Sequence, residues 1–191
     1  LSEFIYYTTY SKWIPEKNRR ETWVETIDRY LGFMRENLGH KLRDQEYAEI
    51  REYLLKMNAL GSMRLLWSAG RAAHKSNVCA YNCSFIAPES FQDIAEIMYI
   101  SMCGTGVGWA VESQNVQKFP QIKLQTGKKL PTHVIADSKE GWCDAFILGT
   151  NAWVNGQDVE FDFSQVRPAG ARLNTLGGNS SGPDPLSRLL A

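Results

Sequence analysis

The sequence has little that would suit a charged partner or a membrane. Its 21 basic and 21 acidic residues cancel to a formal net charge of zero, whereas a nucleic acid or an anionic lipid surface usually requires a basic patch. No apolar run approaches the roughly 20 residues that cross a bilayer, and the start of the chain lacks the apolar stretch of a secretory signal. We therefore expect neither nucleic acid nor a membrane among its partners.

Cysteine and histidine are also scarce, with four and three residues respectively. Four irregularly spaced cysteines are not a secreted disulfide framework, so we expect a reducing cytoplasm, where disulfides are mostly transient and catalytic. Cys79 and Cys83 could form half of a zinc site, but no second Cys/His pair with ligand spacing follows them. No Ser/His/Asp order, HExxH motif or carboxylate pair marks a general base. We expect part of any catalytic machinery to lie outside this sequence.

The composition predicts a folded chain, because 43% of the residues are hydrophobic and 22% are charged. Apolar residues at helical spacing predict one helix over 22–38 and another over 44–58. Thr22 and Glu25 form a capping box at the start of the first helix, and Gly39 ends it. In the segment after them we favour a strand that packs Leu65, Leu66 and Trp67.

A β-α-β unit follows. "NCSFIA" (82–87) predicts a strand, Ser90 with Asp93 caps a helix that Gly104 ends, and "VGWAVE" (107–112) predicts the next strand. Strands joined by a crossover helix are expected to be parallel.

The remaining chain begins with polar residues and then predicts a fourth helix. Asp137 with Glu140 caps it, and Asn155-Gly156 ends it. "DVEFDFS" alternates as a half-buried strand does. A last helix starts at Pro185 and runs off the end, so we expect the chain to be one part of a larger domain.

Four stretches could carry chemistry, and each has a structural alternative. In "GSMRLLWSAG" (61–70), Ser62, Arg64 and Ser68 could contact an anion, or the segment could be only the packing strand favoured above. Cys83 could be a reactive thiolate or a small buried hydrophobe. The glycines of "CGTGVG" (103–108) could let backbone N–H groups approach a ligand, or could form a helix cap and a tight turn. The arginines and glycines of 167–183 could contact phosphates or form a flexible linker.

Taken in order, four segments resemble one family, the monomeric, adenosylcobalamin-dependent (class II) ribonucleotide reductases, notably the ribonucleoside-triphosphate reductases. The segments span almost the whole chain and read "YSKWIPEKNRRETWVETIDRY", "NCSFIAPESF", "GTGVGWAVE" and "RPAGARLNTLGGNSSGPDPL". The resemblance implies an α/β fold in which N-terminal helices precede the first part of a ten-stranded α/β barrel, incomplete without a partner segment.

The resemblance also implies a division of the chain into four regions. Residues 1–60 would be an N-terminal helical region, and 61–112 the first barrel strands with the β-α-β unit. Residues 113–166 would be an insertion that helps form an effector site, and 167–191 a substrate or effector loop with the start of the next barrel helix.

Residue roles are implied by the same resemblance. Cys83 matches one of two cysteines that reduce the ribose and become a disulfide, after a thiyl radical forms on a different cysteine. The implied substrate-binding residues are Ser62, Arg64, Asn82, Ser84, Gly104, Thr105, Gly106 and Gly108. The implied effector or loop residues are Arg167, Arg172, Gly177, Gly178, Ser180 and Ser181.

The family's radical cysteine, its second redox cysteine and most of its adenosylcobalamin site match nothing in this sequence. We therefore expect this chain to be inactive alone and to need the C-terminal portion of the same reductase as a separate chain. Further implied partners are a ribonucleotide substrate, preferably a triphosphate, a deoxynucleotide effector and a thioredoxin-like or dithiol reductant. The alternative is a non-catalytic nucleotide-binding or regulatory module derived from the same fold.

Overall fold

The computed structural model of the protein describes residues 2–173, 175 and 177–191. The chain divides into two compact units. The described residues up to Asn82, with 175 and 177, form the first unit, and Cys83–Leu173 with Gly178–Ala191 form the second. None of the described helices is long and apolar enough to span a bilayer.

The first unit is mainly helical. Its α-helices are α1 Ser2–Ile5, α2 Trp23–Leu38, α3 Asp44–Leu55, α4 Met63–Ser68 and α5 Arg71–Lys75. Strands β1 Trp13–Ile14 and β2 Arg19–Arg20 pair antiparallel. A π-helical turn covers Tyr6–Tyr10, and 3-10 turns cover Pro15–Lys17, Gly39–Lys41 and Asn77–Ala80.

Helix α2 forms as its sequence predicts. Thr22 Oγ1 accepts a hydrogen bond from the Glu25 backbone N–H, and the Glu25 carboxylate accepts one from the Thr22 N–H, which confirms the capping box. Gly39 ends the helix at a positive φ of 54°. The buried face of α2 packs against α3 and α4 in one core cluster, formed by Ile27, Tyr30, Leu54, Leu66 and Ala69. Helix α3 ends at Leu55, three residues before the predicted end.

The strand predicted to pack Leu65, Leu66 and Trp67 is wrong, because this segment is helix α4. Ser62 caps the helix by accepting a hydrogen bond from the Leu65 N–H, and Ala69 ends it with extended dihedrals. A short apolar run has no period of its own, so the cap and the packing against α2 decide its conformation.

A buried ion pair joins α2 to α4 and to the N-terminal segment. Arg29 Nε and Nη2 donate to the two carboxylate oxygens of Glu21 at 2.8 and 3.0 Å. The same guanidinium donates to the carbonyls of Leu66 and Ala69. Thr26 Oγ1 donates to Glu21 at 2.8 Å. Glu21 is 6% exposed, so its charge is compensated almost entirely within the protein.

The second unit mixes helices and short strands. Its elements are β3 Cys83–Ile86, α6 Phe91–Met102, β4 Gly106–Trp109, α7 Ser113–Val116, β5 Lys128–Lys129, β6 His133–Val134, α8 Lys139–Val154, β7 Gln157–Asp158, β8 Phe161–Asp162 and α9 Asp184–Leu190. β3 pairs with β4, β5 with β7 and β6 with β8, each pair in parallel.

The predicted β-α-β unit is confirmed. β3 and β4 are parallel over four residue pairs, from Cys83 opposite Gly106 to Ile86 opposite Trp109. Ser90 caps α6 by accepting from the Asp93 N–H. β4 is shorter than predicted and ends at Trp109.

Two details of the later elements differ from the predictions. The N-cap of α8 is Ser138, which accepts from the Gly141 N–H at 2.9 Å, and not Asp137. Asp137 instead binds Arg167. The predicted strand "DVEFDFS" is interrupted and forms β7 and β8 of two residues each. The end of α8 at Asn155 and Gly156 is confirmed, with Gly156 at a φ of +71°.

Candidate functional site

Cys83 is the first residue of β3, and it is exposed. All four cysteines lie among the described residues, and the other three, Cys79, Cys103 and Cys143, are buried. The exposure of Cys83 is inconsistent with the alternative of a buried packing residue. It lies at the amino end of β3, beside the glycine turn that starts the parallel strand β4.

The glycine turn lies directly beside Cys83. Gly106 is its pairing partner in β4, and Ser84 Oγ donates to the Gly106 carbonyl at 3.5 Å. Gly104 has a φ of +85°, which a residue with a side chain rarely adopts. Gly104, Gly106 and Gly108 are exposed, so their backbone is open to a ligand.

Thr105 differs from the glycines around it, because its side chain is buried and only 2% exposed. Its backbone N–H donates to the Ile100 carbonyl, which ties the turn to the end of α6. The turn can therefore present backbone groups to a ligand while the Thr105 N–H holds it to the end of α6.

The predicted substrate residues of the first unit have structural contacts of their own. Ser62 caps α4. Arg64 Nε donates to the Tyr81 carbonyl at 3.3 Å, and its guanidinium lies 5.2 Å from the centre of the Trp67 ring. Asn82 is exposed and directly precedes Cys83. Of these residues, Ser62 and Asn82 are exposed, and Arg64 is half-buried.

The described residues of the loop that starts at Arg167 are joined by backbone hydrogen bonds, which argues against the flexible-linker alternative. The Gly170 N–H donates to Ser180, the Ser180 N–H to Ala171, and the Leu173 N–H to Gly178, as in a hairpin. Arg172 and Asn179 form an isolated antiparallel bridge.

Within this loop the predicted residues have different environments. Arg167 Nε donates to both carboxylate oxygens of Asp137, at 3.0 and 2.8 Å, so its charge is already paired. Arg172 is exposed. Gly177 and Gly178 each have a φ of +85°. Ser180 Oγ accepts from the Gly182 N–H, and Ser181 Oγ donates to the Gly182 carbonyl. Of the two arginines, Arg172 is the more exposed to a ligand.

A contact that the sequence did not predict joins Lys139 to Cys103. Lys139 Nζ donates to Cys103 Sγ at 3.0 Å and lies 5.2 Å from the centre of the Tyr99 ring. Burial lowers the pKa of Lys139, but the contact with Cys103 outweighs it and the net pKa is raised. The two residues are 36 positions apart, so no sequence pattern could have placed them together.

Two grooves lie in the second unit. The larger, of about 500 Å³, is lined mainly by apolar side chains from α6, β4 and the segment after it, including Ile94, Met98, Trp109 and Phe119. The smaller, of about 350 Å³, lies between α6 and α8. No group of three or more His, Cys, Asp or Glu residues in the described part of the chain is arranged to hold a metal ion.

The sequence is similar to those of known ribonucleotide reductases. The family model for the ribonucleotide reductase alpha domain matches residues 1–71. The adenosylcobalamin-dependent ribonucleoside-triphosphate reductase of Euglena gracilis is 29% identical over 99% of this chain and 28% of the relative. The enzyme of the same name from Lactobacillus leichmannii is 26% identical over all of this chain and 35% of the relative. The chain thus spans about a third of the length of these curated relatives.

The comparison with solved structures agrees with the sequence comparison. A crystal structure of a B12-dependent (class II) ribonucleotide reductase matches 98% of this chain and 35% of its own, with a TM-score of 0.74 and 22% sequence identity. The predicted fold is confirmed as a mixed helix and strand structure of the class II reductase type, while the ten-stranded barrel stays a prediction. The resemblance seen in the sequence motifs is also confirmed: along nearly its whole length the chain is similar to adenosylcobalamin-dependent ribonucleoside-triphosphate reductases.

Proposed function

We propose that this chain forms the substrate-binding and redox part of an adenosylcobalamin-dependent ribonucleoside-triphosphate reductase. The observation that carries the proposal is the placement of Cys83, an exposed thiol opposite Gly106 in the β3–β4 pair. The relatives named above carry this activity in their names, and they extend well beyond the length that this chain matches.

In this proposal Cys83 is one of two thiols that reduce the ribose. The two thiols give up two electrons and two protons and form a disulfide, while the 2′ carbon exchanges its hydroxyl for hydrogen and the oxygen leaves as water. The second thiol belongs to another part of the reductase, because Cys79, Cys103 and Cys143 are buried. A thioredoxin-like protein or a small dithiol then reduces the disulfide, so that turnover continues.

The residues around Cys83 would bind the substrate. Gly104, Gly106 and Gly108 expose backbone along which a nucleotide can lie, and Asn82 and Ser84 flank the thiol along the chain. We assign Ser62 and Arg64 to the substrate phosphates, with Arg64 as the charged member of the pair. Thr105 supports the turn from its buried position.

The hairpin loop would contact the substrate or a deoxynucleotide effector. Arg172, Gly177 and Gly178 are exposed and able to approach an anionic ligand. Arg167 would act through Asp137, which it already binds, and Ser180 and Ser181 hold the base of the loop. The insertion of residues 113–166 would form part of the same effector site.

Neither of the two grooves described above fits a complete adenosylcobalamin molecule. Grooves of about 350 and 500 Å³ are in the range that holds drug-sized molecules, and a corrinoid with its nucleoside is far larger. We therefore assign most of the cofactor site to the C-terminal portion of the reductase, and the cofactor would supply the radical that starts the reaction.

The β3–β4 pair supports the proposal that the C-terminal portion is required. In the described part of the chain each of the two strands pairs on one side only, and Phe85 and Trp109 on them are 65% and 59% exposed. An unpaired, apolar strand edge favours association with a further strand. We expect the C-terminal portion to cover these edges.

Reconstitution tests the proposal. The chain is combined with the C-terminal portion of the reductase, adenosylcobalamin, a dithiol and ribonucleoside triphosphates, and deoxyribonucleotide formation is measured over many turnovers. We expect activity with the wild-type chain, none with Cys83→Ser, and activity with Cys79→Ser as the control. Full multiple turnover by Cys83→Ser would refute the role of Cys83. Nucleotide binding without any turnover by the wild-type assembly would favour a regulatory module.

A further inference from the structure

Lys139 and Cys103 form a buried nucleophile pair that the proposed reaction does not use. Cys103 is the C-cap residue of α6 and is fully buried, and Lys139 is the first residue of α8 and half-buried. Their Nζ and Sγ atoms are 3.0 Å apart. Two heavy atoms at this distance leave room for one bridging atom after only a small adjustment of the flexible lysine side chain.

We propose that Lys139 and Cys103 are a site of oxidative cross-linking, at which dioxygen converts the contact into a covalent N–O–S bridge. Nitrogen and sulfur together lose four electrons, and dioxygen accepts them. One oxygen atom becomes the bridge between Nζ and Sγ. The other leaves as water with two of the three protons that the nitrogen and sulfur carry between them, and the third proton stays on the nitrogen.

The surroundings of Cys103 favour the cross-link over the oxidation products that an isolated cysteine forms. Cys103 is fully buried, so a bulky oxidant or a second protein thiol cannot reach its sulfur, whereas dioxygen is small and apolar. The Tyr99 ring, 5.2 Å from Lys139 Nζ, holds the lysine at the sulfur. Cys143 lies on the same helix as Lys139, but its thiol donates to the Ala95 carbonyl at 3.5 Å.

The cross-link would join α8 to the residue that directly precedes the Gly104 turn. The two elements are now held there by a contact that a lysine rotamer change can break. A covalent bridge would remove that freedom. The site and its chemistry do not depend on the proposed reductase activity.

Intact-mass spectrometry of the folded chain tests the proposal. The protein is kept without thiols, either in air-saturated buffer or under nitrogen, and then digested for peptide mapping. We expect aerobic protein to gain one oxygen atom and lose two hydrogen atoms, with the change on a cross-linked pair of peptides that carry Lys139 and Cys103. A dithiol should reverse the change, and the anaerobic sample should lack it.

Variants distinguish the cross-link from other oxidation products. Lys139→Arg keeps a cation at the site and should abolish the cross-link, as should Cys103→Ser, while Cys143→Ser should retain it. The proposal is overturned by an unchanged mass in air, by loss of two hydrogens alone, or by an oxygen gain that persists in Lys139→Arg. The wild-type measurement decides the question even if a variant fails to fold.

Discussion

Cys83 lies opposite Gly106 in the parallel β3–β4 pair, with no side chain on its partner residue to cover it. This relationship explains how a cysteine in an apolar strand remains exposed. It also separates Cys83 from the other three cysteines, which lie inside the two units.

The first prediction concerns thiol reactivity in the folded chain. Cys83 should react with iodoacetamide well before Cys79, Cys103 and Cys143, because their sulfur atoms are shielded. Burial raises the pKa of Cys143 from 9.0 to about 11, which lowers its thiolate fraction at neutral pH by about 100-fold. Peptide mapping after timed alkylation measures the four rates, and all four cysteines should react in urea. Equal rates for Cys83 and Cys103 in the native protein would contradict the structure.

The second prediction concerns the buried ion pair of the first unit. Glu21→Ala leaves the Arg29 guanidinium without its carboxylate, so the free energy of unfolding should fall by about 3 kcal/mol. Asp28→Ala is the matched control, because its ion pair with Arg51 is 41–50% exposed and should contribute less than about 1 kcal/mol. Urea unfolding followed by circular dichroism measures both. Similar losses in the two variants would show that the burial of Glu21 has no energetic consequence.

The predictions that succeeded from sequence were those with local causes. The Thr22–Glu25 box and the Ser90 cap involve residues three positions apart, so the sequence contains both partners of each interaction. The N-cap of α8 was misplaced by one residue because Asp137 and Ser138 are both good capping residues. Tertiary contact decided between them, since Arg167 engages Asp137.

Failures came where distant residues decide the outcome. The segment that holds Leu65 and Leu66 is a helix because α2 and α3 supply the surface against which these two residues pack. A run of three apolar residues does not identify that surface. The Lys139–Cys103 contact joins different helices. The roles of the candidate site residues stay predictions. Contiguous motifs indicated these residues, but the burial of Thr105 and the pairing of Arg167 became visible only in three dimensions.

The third prediction concerns acid stability. Burial raises the pKa of Glu21, but hydrogen bonds from Arg29 and Thr26 outweigh it, and the net pKa is lowered from 4.5. A carboxyl group with a lowered folded pKa stabilises the protein above its unfolded pKa, and this stability is lost as the pH falls through the folded value. The difference in unfolding free energy between wild type and Glu21→Gln should therefore be constant above about pH 5 and shrink below pH 4.5. Urea titrations at several pH values measure it, and a difference that stays constant down to the lowest pH would contradict the prediction.

The last prediction concerns Lys12, whose pKa is lowered from 10.5 to about 8 by burial and by the nearby Arg29 charge. Its ammonium group lies 4.9 Å from the centre of the Trp67 ring. Below about pH 8 the folded and unfolded chains both carry the proton, and burial of the charge is unfavourable. Between about pH 8 and 10.5 only the unfolded chain retains the proton, so the stability contributed by Lys12 rises with pH.

The test compares wild type with Lys12→Met. Tyr6 and Tyr30 lower the stability near the upper end of this pH range, since burial raises their pKa values, and the comparison cancels their effect. Wild type should gain stability relative to Lys12→Met across this window, as measured by urea unfolding at successive pH values. A difference that does not change between pH 8 and 10.5 would mean that the Lys12 ammonium is as well solvated in the folded chain as in the unfolded one.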